Sequence, residues 1–145
     1  MNAAKGAALL LVAVLVGCGS GQIPTHPVNG KVVFSDGSHP MFGTVEFYNE
    51  EHRINARGKI DRNGTFTVTT YEPDDGAVAG DHKIVIIQIV SEPTSQFAKA
   101  KAPFVHNHGD IVSTKYLDYR TSDLSCSIDE GENEVVLTVE KSTKE

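Results

Sequence analysis

The chain has 145 residues, 39% of them hydrophobic and none of them tryptophan, and a formal net charge of −6. That length suits one domain around a single hydrophobic core. The acidic balance and the absence of a basic run predict no nucleic-acid binding, because phosphate affinity comes from clustered Lys and Arg.

Lys5 is the only charge in a short leader, and residues 6–16 follow as an unbroken stretch of apolar and small side chains. Those eleven residues match a secretory hydrophobic segment, whereas a helix needs roughly 20 to cross a bilayer. The stretch runs into Leu15-Val16-Gly17-Cys18. This resembles the bacterial lipobox, in which an aliphatic residue, a small or β-branched residue and Gly or Ala precede an acylated Cys. The resemblance implies that residues 1–17 are a signal peptide and that Cys18 becomes the lipidated first residue. A plain secretory peptide or a short membrane anchor is the competing reading, and the Gly-Ser-Gly that follows Cys18 argues against it. Several acyl chains on one Cys, at about 0.8 kcal/mol per buried methylene, anchor a protein without any spanning helix. Gly19 after the Cys, in place of Asp, favours the outer membrane where there are two. The location expected is therefore the cell envelope, outside the cytoplasm.

Residues 18–27 read as a lipidated tether, since Pro24 and Pro27 discourage regular structure. From residue 28 the chain reads as short strands between turns. Val28, Gly30, Val32 and Phe34 alternate with a second face, and Ser35-Asp36-Gly37-Ser38 ends that strand. Val45 and Phe47 mark a strand over 43–49, and Ile54, Ala56, Gly58 and Ile60 mark the next. Asp61-Arg62-Asn63-Gly64 predicts a hairpin leading to Phe66 and Val68. Residues 83–90 are apolar on both phases, as in a strand that is central or passes beneath a loop. Cys126 alternates with Leu124 and Ile128, so it is expected in the core as a small hydrophobe. Val135, Leu137 and Val139 mark the last strand, and 142–145 is a polar tail. The expected fold is a seven-stranded antiparallel β-sandwich over 28–141, interrupted by a long loop at about 91–121.

Val28-Asn29-Gly30-Lys31-Val32, Gly43-Thr44-Val45-Glu46-Phe47 and Asp61-Arg62-Asn63-Gly64-Thr65-Phe66 resemble the opening strands and hairpin of carboxypeptidase-regulatory-like domains. Gly80-Asp81-His82-Lys83-Ile84 is similar to the Gly-x-Tyr-x-Val start of the next strand, with His82 at the Tyr position. Lys115-Tyr116 and Thr121-Ser122-Asp123-Leu124 resemble a segment of small lipoproteins built on that domain. The resemblance implies a transthyretin-like Greek-key sandwich. In carboxypeptidases that domain is the non-catalytic accessory.

The long loop holds the chemical candidates. His106, His108 and Asp110 alternate, and in an extended segment they project to one side toward a Zn²⁺ or Cu²⁺ ion. Phe97, Phe104, Tyr116 and Tyr119 offer an aromatic face to an envelope protein or glycan, or else pack the loop onto the sandwich. Tyr119-Arg120-Thr121-Ser122 is superficially similar to the Tyr-Arg-Gly-Ser ending of transthyretin-like hydroxyisourate hydrolases. Here Thr121 replaces Gly and a strand follows, so Arg120 is expected to pair with Asp118 or Asp123. No phosphate loop, nucleophile elbow or HExxH motif occurs, and no cofactor is expected. The leading expectation is a non-enzymatic binding or structural lipoprotein held to membrane lipid through Cys18. A metal-binding protein comes second and a hydrolase third.

Overall fold

The protein is described here from a computed structural model, over residues 21–89 and 110–143. The elements in chain order are β1 (Thr25–His26), β2 (Val28–Phe34), β3 (Gly43–Asn49), β4 (Ile54–Ile60), β5 (Thr65–Thr69), β6 (Ala77–Val78) and β7 (Gly80–Ile87). A 3₁₀ turn (Thr114–Leu117), β8 (Ser125–Ile128) and β9 (Asn133–Val139) complete them. Seven strands join in the order β8-β7-β3-β4-β5-β2-β9, and β1 pairs with β6 alone. The large sheet curls until it is nearly a barrel.

Alternation decides which side chains fill the interior. Val28, Val32 and Phe34 of β2, Val45 and Phe47 of β3, and Phe66 and Val68 of β5 point inward and are buried. Ile84 and Ile86 meet them from β7, and Val135, Leu137 and Val139 from β9. The turn expected at 61–64 is present and rests on the Asp61 carboxylate. It accepts from the Asn63 and Thr65 amides at 2.8 and 2.9 Å and from the Thr65 hydroxyl at 2.8 Å. Gly64 closes the turn at φ +76°, where a side chain would be strained.

Three features depart from expectation. The sheet is mixed: β9 runs parallel to β2 in register from Val28↔Asn133 to Phe34↔Val139. After β8, on the opposite edge of the sheet, the 129–132 turn carries the chain across to β2, and β9 then points the same way as β2. The tether is ordered at its end, because Thr25 and His26, both of which keep their amide donors between the two prolines, pair with Val78 and Ala77. The second half of the long loop is structural. Val112 bridges Lys141 beyond the end of β9, and the Leu124 carbonyl accepts from the Ile84 amide at 2.9 Å. Residues 110–124 thus bind the open seam between β9 and β7. This explains the doubly apolar β7: Ile84 and Ile86 face the core, and Val85 points the other way yet is 2% exposed.

Strand directions set three loops, 50–53, 70–76 and 129–132, at the end where β1 enters. They carry eight carboxylates and one basic residue, Arg53. Among the described residues no helix is long and apolar enough to cross a membrane.

Candidate binding groove

The same alternation that buries one face presents the other. Outward positions of β9, β2, β5 and β4 line a shallow groove of about 910 Å³. Asn29 and Lys31 come from β2, Thr65, Thr67 and Thr69 from β5, Arg57 and Lys59 from β4, and Glu134 and Val136 from β9. Val136, 69% exposed, is a rare apolar side chain on this face. The Thr67 hydroxyl donates to the Asn29 side-chain oxygen at 3.0 Å, which leaves the Asn29 amide donors facing out. The Arg57 Nε donates to Glu46 at 2.6 Å. Glu46 is buried, and its other oxygen accepts from the Tyr119 hydroxyl at 2.8 Å. Burial first and then the Glu46 carboxylate hold the Tyr119 hydroxyl above its usual pKa. Among the described residues Lys31 and Lys59 make no ion pair.

Compared with known families, characterised proteins and solved structures, the chain has no match.

The residues singled out in the sequence lie elsewhere. Cys18, Phe97, Phe104, His106 and His108 fall outside the described residues. The Asp110 carboxylate pairs with Lys141 at 2.6 Å, and the same ammonium holds Asp36. Among the described residues no three His, Cys, Asp or Glu side chains are grouped to hold a metal ion. Tyr116 is 2% exposed and packs with the core, so it gives no surface to a partner. Tyr119 is half-buried, and its ring lies 5.6 Å from that of Tyr48. These two tyrosines pack the segment onto the barrel, the alternative role open to them. Arg120 pairs with Asp118 at 2.5 Å, as expected.

Cys126 and His82 are cross-strand partners on the inner face of β8 and β7. Burial, and secondarily the charge of Asp81, pushes the Cys126 thiol up to about 11. Burial pushes His82 below its ordinary value, against the Gly80 carbonyl that its Nδ1 meets at 3.0 Å. At neutral pH the pair is thiol and neutral imidazole, without the thiolate a nucleophile needs.

The groove residues carry no distinguishing signal in the sequence, because each reads as an ordinary solvent-facing position. The only trace is the polar phase itself, Asn29-x-Lys31 and Thr65-x-Thr67-x-Thr69, and no local pattern says that these strands lie side by side.

Proposed function

We propose that this protein is a membrane-anchored envelope lipoprotein, lipidated at Cys18, whose β-domain has a non-enzymatic binding role. The observation that carries the anchor is Leu15-Val16-Gly17-Cys18 after a short apolar run. We read the domain as a distant transthyretin-like, carboxypeptidase-regulatory-like sandwich. The groove across β4, β5, β2 and β9 supports the binding role; of the aromatic side chains expected to meet a partner, Tyr116 is buried, Tyr119 is half-buried, and Phe97 and Phe104 lie outside the described residues.

The order at Thr25 and His26 sharpens what the anchor means. Only residues 19–24 separate Cys18 from the first strand, a reach of at most roughly 20 Å. The entering end is acidic, so it is repelled by anionic headgroups within a Debye length, about 8 Å at physiological salt. The domain stands off the bilayer and keeps its side groove open to the envelope.

Labelling of cells with an alkyne fatty acid tests the anchor. Signal in the wild-type chain and none in Cys18→Ser is the expected result; equal signal in both overturns it.

A further inference from the structure

The groove has a charge pattern that selects its occupant. Among the described residues Lys83, Lys115, Arg120 and Lys141 are each ion-paired to a carboxylate. Lys31 and Lys59 are not, and neither are Arg53 and Arg62 in the turns at the two ends, although the chain carries an excess of acid. Arg57 joins them with a side chain 65% exposed, and only its Nε is engaged, so its terminal nitrogens remain to donate. Three cationic groups thus face one groove on an otherwise acidic domain.

We propose that this groove binds an acidic polysaccharide, the ammonium groups of Lys31 and Lys59 and the Arg57 guanidinium meeting its anionic groups. The inference rests on the binding role proposed above but is independent of acylation at Cys18. Three features favour a glycan over other anions. The groove crosses four strands, a width of roughly 14 Å, which fits a run of sugar rings better than a single small ion. Thr65, Thr67 and Asn29 lie between the cations and suit hydrogen bonding to a polyol, while the apolar parts of the lining, among them Val136, suit the carbon faces of sugar rings. The one aromatic ring lining the groove among the described residues, Phe66, is 4% exposed and belongs to the core, so it offers no open face for the stacking of bases that single-stranded nucleic acid needs.

The groove also holds three carboxylates, one of which, Asp61, lies at the Lys31 and Lys59 end. Asp74 and Glu134 lie toward the acidic entering end, and the Asp61 carboxylate is held by its three hydrogen bonds within the turn. Lys31 and Lys59 lie toward the end of the barrel opposite the one where β1 enters. A lipid headgroup would have to reach them past carboxylates. A polymer outside the membrane meets no such barrier.

The test is titration of the full-length chain in detergent micelles with oligogalacturonate, with an uncharged malto-oligosaccharide of equal length as comparator. Oligogalacturonate should bind with an affinity that falls as salt rises, and the neutral sugar should not. Lys31→Ala/Lys59→Ala should weaken binding at least tenfold, and Lys83→Ala, on another part of the sheet, should leave it unchanged. Equal binding of both sugars, no binding of the acidic one, or indifference to the double variant overturns the proposal. So does vesicle adhesion, with phosphatidylglycerol vesicles, that the double variant loses while sugar binding persists. A flat titration with intact fatty-acid labelling removes the glycan and spares the anchor; binding without labelling does the reverse.

Discussion

The ring of Phe66 lies against the backbone of Gly30. A β-carbon at Gly30 would sit 2.3 Å from Phe66 Cζ and 2.5 Å from the Val135 carbonyl oxygen of β9. The other side of the ring meets Gly58, where a β-carbon would fall 3.1 Å from Phe66 Cδ2. One large side chain is thus seated across β2 and β4 because both strands carry no side chain there. Gly30→Ala forces either the ring or the β2–β9 pairing to move, and overpacking of this kind costs about 1–3 kcal/mol. Urea unfolding should show that loss. Phe66→Leu in the Gly30→Ala background should recover part of it, since it removes the ring but not the fixed carbonyl. No loss in Gly30→Ala would mean the ring is not seated there.

This seat also shows how far the sequence was legible. Alternation gave Val32, Phe47, Phe66, Ile84 and Leu137 as core, because burial on one face of a strand needs only a period of two. Glycine in mid-strand was visible as part of a motif, but its cause is a ring from a strand 36 positions away. Partner order is likewise non-local, so the parallel run of β9 along β2 and the groove it helps to build had no signal in any single segment. Tyr116 is the counter-example. An aromatic in a long polar loop reads equally as surface or as packing, and only the seam it fills decides.

The Glu46 carboxylate gives a second prediction. It is 8% exposed and depends on two donors, Tyr119 and Arg57. The arginine is mostly solvated, so screening leaves its share small. Tyr119→Phe deletes the other donor and leaves a charged oxygen short of a partner, at a cost of about 1–3 kcal/mol. Glu46→Gln and the double variant complete a cycle. A coupling near zero would show that the tyrosine hydroxyl holds nothing, and a coupling of about 1 kcal/mol is expected.

A third concerns the loop that shapes the acidic entering end. The Asp75 carboxylate accepts from three successive backbone amides, Thr70 at 2.6 Å, Tyr71 at 2.9 Å and Glu72 at 3.0 Å. Burial acts to raise its pKa, but the amide hydrogen bonds outweigh burial and hold it below the ordinary carboxylate value. Asp75→Ala should therefore expose residues 70–76 to limited proteolysis while the core stays folded. Asp75→Asn, which keeps one acceptor oxygen, should fall between. Unchanged cleavage in both would show that the loop holds without its carboxylate.

The fourth is a pH effect with a defined sign. Because burial lowers the His82 pKa in the native state, the unfolded chain takes up the proton first as pH falls through about 6.5. Stability therefore rises with pH across the window below 6.5 and levels above it. Replacing His82 with Phe keeps an aromatic edge toward Phe47, whose ring lies 6.1 Å away, and removes the titrating group. The thermal midpoint of the variant should lose less on acidification from pH 7 to pH 5.5 than that of the wild type. Parallel profiles would place the acid sensitivity in other groups.

Cys126 gives the last prediction, and it bears on Cys18 as well. Burial, with the Asp81 charge second, pushes its thiol up to about 11 in the native state, against 9.0 for an ordinary thiol. Native protein at pH 8 should therefore react with a disulfide reagent far more slowly than the chain in guanidinium, because the thiolate is the attacking species. The total in denaturant then counts the cysteines that are free. A chain acylated at Cys18 shows one reactive thiol, and an unmodified chain shows two, since the sequence holds only Cys18 and Cys126. Above pH 9 the sign reverses from that of His82. The unfolded chain loses the Cys126 proton while the native chain keeps it, so stability declines as pH rises toward 11. Cys126→Ala should flatten that decline, and a decline that persists undiminished would assign it to other groups.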